Sequence, residues 1–277
     1  MEMNKKLIVT GGTGFVGSLF LSNLSLKGVD VICVGRKKGR ISKDFNQITF
    51  EEFSNTFYPD DQEIYVLHLA TFYSKLDKER ENIKSAFDFS MNILNFVKKS
   101  NLINFLYTNT MFIFDEIESE YYYTKSKKLF SDNLHSTLNN DQISEIFLSD
   151  TFHKTDQRNK VVPMIKKAIL KKEQSPVQNK DKYINLVYGG DLIRSLEAEV
   201  FNSEYSKSRI TSKVDLKINS IYEFLKCLYE TGKINKFLID SKNSSYETKD
   251  NVPKMNKYFN ESDILEKLST LVTVNKD

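Results

Sequence analysis

Short apolar runs alternate with longer stretches of helical periodicity through the first half of the chain. Leu7-Ile8-Val9 reads as a buried strand that runs into a cluster of glycines. Phe15 to Lys27 then places Phe15, Val16, Leu19, Phe20 and Leu24 on one side of a helix. Val31-Ile32-Cys33-Val34 is a second strand, and Ile64 to Leu69 another, rich in β-branched and aromatic residues. Residues 83–99 predict an amphipathic helix with Phe87, Met91, Leu94 and Val97 as its stripe. A strand opening at Phe105-Leu106-Tyr107, a helix over Tyr121 to Leu134 and a strand over Ile143 to Leu148 complete the series. Strands separated by helices predict βαβ units, and hence an α/β, doubly wound parallel sheet.

The second half is less regular. Val162 to Lys172 predicts a helix opened by Pro163, Tyr183 to Tyr188 a strand, Leu192 to Phe201 a helix, and Ser220 to Tyr229 a helix with Ser220 as N-cap. Pro176 and the polar stretch 241–252 mark loops. The expected organisation is a first domain over residues 1–160, joined by the returning strand and helix of 183–201. A smaller α/β lobe would then take up most of 161–277.

Composition narrows the setting. The 277 residues are 40% apolar and 28% charged, enough for a sizeable core. Forty Lys and Arg against 37 Asp and Glu leave a net charge of +3, too weak a field to argue for nucleic acid. Residues 1–6 are polar, and no run approaches a membrane span, so the expectation is a cytoplasmic protein without a membrane partner. Cys33 and Cys227 give no disulfide framework, and His68, His135 and His153 show no metal-ligand spacing; no metal is expected. His68 is expected to pack along its strand near the site.

The sharpest local signal is Thr10-Gly11-Gly12-Thr13-Gly14-Phe15-Val16-Gly17. Glycines at 11, 14 and 17 follow a strand and open a helix. Gly11 allows the tight turn, Gly14 lets the backbone approach a pyrophosphate, and Gly17 lets the helix pack close on the strand, with the helix N-terminus facing the anion. The pattern predicts a Rossmann dinucleotide site in which Gly11, Thr13, Gly14, Phe15 and Val16 touch the cofactor. Where NAD sites usually place an acid at the end of the second strand, this chain has Gly35-Arg36-Lys37-Lys38-Gly39-Arg40. A guanidinium at Arg36 suits a 2′-phosphate, so NADPH is expected in preference to NAD.

These residues resemble the extended short-chain dehydrogenases/reductases, the NAD-dependent epimerase/dehydratase family. Val66-Leu67-His68-Leu69-Ala70 is similar to the family's fourth-strand segment along the cofactor. That similarity implies cofactor contacts at Leu69 and Ala70, and a substrate contact at Thr71. Phe105 to Phe114 resembles the segment that carries the catalytic hydroxyl, which falls on Thr110. Tyr183 to Asp191 is similar to a later strand and its following aspartate. The family's Tyr-x-x-x-Lys pair is offered twice, as Tyr121 with Lys125 and as Tyr123 with Lys127. Each pair shares one helix face. The second gives the better apolar stripe, with Phe130 and Leu134.

The resemblance implies a chemistry. A free phenol, with a pKa near ~10, is a poor acid at neutral pH; a neighbouring ammonium favours the phenolate and brings it toward the working range. Tyr would protonate a carbonyl oxygen as hydride arrives at carbon, Lys127 would also hold the nicotinamide ribose, and Thr110 would steady the developing charge. Dehydratases of the family place Asp and Glu after the catalytic Thr, where this chain has Met111 and Phe112. The implied reaction is NADPH-dependent reduction of a nucleotide-linked 4-keto-6-deoxyhexose, as in the small 4-ketoreductases that finish CDP- or dTDP-linked deoxysugars for O-antigen lipopolysaccharide, abequose synthase among them. Asp150 and Arg158 fall in the implied nucleotide-sugar contact region. An epimerase of the same fold and a non-catalytic NADP-binding regulator are the rival readings. The resemblance further implies a homodimer built on helices 83–99 and 121–134.

Overall fold

The structure is a computed structural model that describes residues 5–24, 28–42, 44–56 and 62–272. Its contacts divide the chain into two compact units. The first comprises Met1–Leu148, Ile193–Arg209 and Pro253–Tyr258, and the second Ser149–Leu192, Ile210–Val252 and Phe259–Asp277.

The first unit is built on β1 (Lys5–Thr10), α1 (Phe15–Asn23), β2 (Val29–Gly35), β3 (Gly39–Arg40), β4 (Asn46–Thr49), α2 (Phe50–Thr56), β5 (Glu63–His68), α3 (Arg80–Val97), β6 (Leu102–Thr110), α4 (Tyr122–Thr137) and β7 (Ile143–Leu148). With β10 (Ser206–Ile210) the strands form one sheet in the order β10-β7-β6-β5-β1-β2-β4-β3. β7, β6, β5, β1, β2 and β4 pair in parallel, and β3 turns back against β4. This is a Rossmann-like α/β sheet. Its central strands are apolar on both faces because helices cover both faces of a parallel sheet. Ile8, Val66 and Phe105 pack with Phe89, Ile93, Phe130 and Leu134 in one buried cluster.

The helix over 80–97 buries Ile83, Ala86, Phe89, Ser90, Ile93, Leu94 and Val97. Phe87 and Met91, expected at the centre of its stripe, flank that face half-buried. Phe87 instead meets the ring of Phe130 on α4 at 6.5 Å. The predicted helix from Phe15 ends at Asn23, and Lys27 lies outside the described residues.

The second unit holds a four-stranded sheet, ordered β12-β11-β9-β8, from β8 (Asp150–Phe152), β9 (Tyr183–Tyr188), β11 (Val214–Lys217) and β12 (Ser241–Asn243). α5 (Val161–Leu170), α7 (Ile218–Thr231) and α8 (Ile264–Ser269) enclose its core around Phe152, Ile165, Phe224 and Leu268. The strand 183–188, expected to return to the large sheet, is β9 of this smaller one, with β8 parallel on one side and β11 antiparallel on the other. Only from Ile193 onward, within α6 (Gly189–Val200), does the chain rejoin the first unit. Ser220 is not an N-cap: α7 begins at Ile218, and the Ser220 hydroxyl donates to the Lys217 carbonyl.

Residues 253–258 complete the first unit. Asn256 Nδ2 donates to the Glu199 carboxylate at 2.9 Å, and the Glu199 carbonyl accepts from Asn104 of β6 at 3.0 Å.

Candidate active site

The glycine turn between β1 and α1 takes the form its sequence requires. Gly11 has φ +73°, and a Cβ there would lie 2.8 Å from the Ala70 nitrogen. A Cβ on Gly17 would overlap the Gly11 carbonyl oxygen. Gly14 is the N-cap of α1, in extended conformation and with no side-chain cap. The first amides of the helix are therefore not claimed by a capping side chain, and small residues leave the backbone open to a ligand. This cradle fits a dinucleotide pyrophosphate. Thr13 and Gly14 are exposed, and Phe15 and Val16 half-buried, at its mouth.

The basic turn lies at the C-terminal end of β2. A Cβ on Gly35 would run into the side chain of Gln47, whose Nε2 donates to the Lys37 carbonyl at 2.8 Å. That contact pins the turn and leaves Arg36 exposed, with Nη1 donating to Ser85 at 3.3 Å. Gly39 closes the other side, where a Cβ would lie 3.1 Å from the Thr13 methyl. No acid follows β2 at this position.

The two Tyr/Lys pairs have different fates. α4 starts at Tyr122, so Tyr121 is its N-cap residue and lies before the first turn. The Tyr121 ring is covered by Lys75 Nζ at 4.9 Å. Lys125 points outward to Glu120 at 2.7 Å. Tyr123 and Lys127 turn inward and are buried. Lys127 Nζ donates to the Thr108 carbonyl at 2.5 Å and sits 4.4 Å from the centre of the Tyr107 ring. Burial drives its amine down to about 7, while the Glu145 carboxylate pulls the other way. Tyr123 meets Tyr73 edge-on at 5.0 Å. Tyr123 and Lys127 line one pocket with Ala70, Thr71, Tyr107 and Phe130. Thr110 ends β6, buried, with its hydroxyl accepting from the Phe112 amide.

A polar chain missed in the sequence runs beneath this pocket. Ser90 Oγ donates to the Ala86 carbonyl at 2.8 Å, so it accepts from His68 Nε2 at 2.9 Å. Nδ1 of the same ring then accepts from the Thr10 hydroxyl at 2.9 Å, which itself accepts from the Ala70 amide at 3.2 Å. His68 stacks on Phe130, and burial together with the Lys127 charge takes its imidazole down to about 3. It is a neutral ring of fixed tautomer that ties the glycine turn's strand to Ala70. Its signal was a histidine closing an otherwise apolar strand.

In the second unit, Arg158 binds Asp156 through Nε and Nη2 at 2.9 and 2.8 Å and reaches the Thr151 carbonyl at 2.7 Å. Asp150 faces Lys160 at 3.4 Å. Both are locally engaged. Among the described residues, no group of three or more His, Cys, Asp or Glu is arranged to hold a metal ion. None of the described helices is long and apolar enough to cross a membrane.

Residues 7–133, slightly under half of the chain, match the model of the NAD dependent epimerase/dehydratase family. Three solved structures share the fold. A UDP-N-acetylglucosamine 4-epimerase from Methanobrevibacter ruminantium M1, in complex with UDP-N-acetylmuramic acid, is 17% identical with TM-score 0.71, covering 98% of this chain and 97% of that one. The UDP-glucose 4-epimerase of Thermotoga maritima, with UDP-glucose, is 17% identical with TM-score 0.72, over 96% and 97%. The UDP-glucuronic acid 4-epimerase of Bacillus cereus, in complex with NAD, is 16% identical with TM-score 0.71, over 96% and 95%. No curated protein matches the chain by sequence.

Proposed function

We propose that this chain is an NAD(P)-dependent oxidoreductase acting on a nucleotide-linked sugar, and more finely an NADPH-dependent reductase of a 4-keto-6-deoxyhexose. The observation that carries the reading is the inward pair Tyr123 and Lys127, in one pocket with Ala70 and Thr71. The family match over 7–133 and the fold shared with nucleotide-sugar epimerases support the substrate class.

When bound, a nicotinamide dinucleotide supplies or accepts hydride. The cradle of Gly11, Thr13, Gly14, Phe15 and Val16 would hold its pyrophosphate, with Leu69 and Ala70 along its path. Arg36 would meet the adenosine ribose, where its exposed guanidinium favours a 2′-phosphate. Tyr123 delivers the proton to the substrate oxygen as acid. Lys127 is held against the Thr108 carbonyl, where its charge favours the phenolate left behind. The Thr110 hydroxyl donates to the same substrate oxygen and offsets its developing charge. Thr71 would touch the sugar, and Asp150 and Arg158 the nucleotide part. We further propose a homodimer paired through α3 and α4; Tyr122 and Leu129 are exposed on α4.

A second reading is an epimerase that keeps NAD and recycles it, favoured by the likeness to three 4-epimerases. NADPH absorbance followed with freshly generated CDP-, dTDP-, GDP- and UDP-linked 4-keto-6-deoxy sugars tests the first reading. Turnover with one nucleotide, abolished by Tyr123→Phe and kept by Tyr121→Phe, is the expected result. Co-purified NAD with interconversion of two sugars and no net oxidation would favour the epimerase.

A further inference from the structure

One buried carboxylate takes no part in this reading, yet it touches both elements that carry it. Glu145 lies in the middle of β7, wholly buried. Its Oε1 accepts from Asn109 Nδ2 on β6 at 2.7 Å and from Ser131 Oγ on α4 at 2.6 Å. Its Oε2 faces His135 Nε2 on α4 at 3.2 Å and Lys207 Nζ on β10 at 3.6 Å. Asn109 carries the tie further: its Oδ1 accepts from the Thr110 amide at 2.8 Å.

The spacing on α4 gives this arrangement its meaning. Lys127, Ser131 and His135 are four apart and share one face of the helix. Glu145 therefore grips the helix one and two turns beyond Lys127. On the strand side, its hold on β6 ends beside Thr110, two residues after the carbonyl that receives Lys127. We propose that Glu145 is a positioning residue: it clamps α4 to β6, and its negative charge stands behind Lys127. The proposal rests on the reading of Tyr123 and Lys127 as the reactive pair.

The electrostatics agree with the geometry. Burial alone would push the Glu145 carboxyl up. The donors His135, Ser131 and Asn109 and the Lys207 charge outweigh that and hold it below the usual carboxylate value. The ionised group in turn opposes the burial that drives Lys127 down. Tyr107, which meets the same charge from β6, is kept a neutral phenol by burial and by its neighbours Tyr123 and Glu145.

Competitive acetylation of the full chain, read lysine by lysine by mass spectrometry, measures how much of each amine is unprotonated. In Glu145→Gln, Lys127 labelling below neutral pH is expected to rise about threefold or more, since each unit of pKa shift changes the free amine tenfold. The exposed Lys125 and Lys128 should keep their wild-type reactivity. Glu145→Met removes the same charge without leaving a polar group, and gives the same shift should the amide variant not fold. An unchanged Lys127 profile in a folded variant of either kind overturns the proposal. Glu145→Asp keeps the charge and is expected to keep the profile; a shift as large as that of the amide would assign the effect to packing and overturn it too. Labelling needs neither cofactor nor sugar. A labelling shift in a protein without turnover would therefore sink the reaction and leave the clamp standing, whereas turnover without the shift would do the reverse.

Discussion

Lys127 donates its ammonium to the carbonyl oxygen of Thr108, 2.5 Å away, so the helix and strand that bear the candidate reactive groups meet through the charge itself. The same lysine lies in the pocket with Tyr123, one helical turn earlier. Lys125, at the same interval from Tyr121, leans out toward Glu120.

That difference gives the first test. Tyr123→Phe removes the proposed proton donor and is expected to lower kcat by ~10²–10⁴, the usual range for a general acid. Tyr121→Phe, whose ring is a perch for Lys75, is expected to stay within about threefold of wild type. Steady-state kinetics on the two variants decide it; equal losses would remove the assignment.

The buried amine also links stability to pH. Lys127 sits at about 7 in the fold against 10.5 ordinarily. Between those values the unfolded chain holds the extra proton, so this group's cost to the fold diminishes as pH rises through that window, by at most ~1.4 kcal/mol per unit. Lys127→Met has no such dependence. Urea unfolding of both proteins should show the variant's advantage shrinking from neutral to alkaline pH; a constant difference would show that the amine is not desolvated.

Arg36→Ala is expected to raise KM for NADPH by about tenfold or more while leaving NADH nearly untouched, because only the former carries a ribose 2′-phosphate for the guanidinium to bind. A parallel change for both cofactors would place Arg36 outside the ribose site.

Thr10→Val keeps the shape of the side chain but strands the Ala70 amide and His68 Nδ1. A buried group left without its partner costs about 1–3 kcal/mol. Thr10→Ser retains the hydroxyl and should recover most of that. Chemical denaturation midpoints would show whether the chain from Ala70 to Ser90 holds this region together.

Gly17→Ala meets the Gly11 carbonyl and should cost about 1–3 kcal/mol of stability as an overpacked contact, with cofactor affinity falling as the turn widens. Thermal melts with and without NADPH would report both. An alanine that leaves both unchanged would show that the helix can shift away freely.

What the sequence revealed was mostly local. The glycine turn was legible because Gly11, Gly14 and Gly17 each answer a constraint from within a few residues. Both Tyr/Lys pairs share the interval of four, and in the sequence only the apolar stripe of Phe130 and Leu134 favoured Tyr123 with Lys127; where α4 starts and which face meets β6 set the two pairs apart in the fold. Glu145 was not singled out within the strand Ile143 to Leu148, because the partners that give it meaning stand 36, 14 and 10 residues away. Strand 183–188 was read correctly as a strand and assigned to the wrong sheet, because apolar alternation says nothing about which neighbours a strand finds. The insertion of β3, β4 and α2 was too short and too mixed in pattern to declare itself.

The contribution of residues 253–258 to the first unit has a bearing on biosynthesis. During synthesis the strands β1 to β7 emerge first, yet Glu199 and Asn256 can meet only once the 57 residues that separate them have been made. Until then the Glu199 carboxylate lacks one of its buried partners. A chain stopped between Ile210 and Asn256 would keep that defect permanently, although every strand of the large sheet has by then been made.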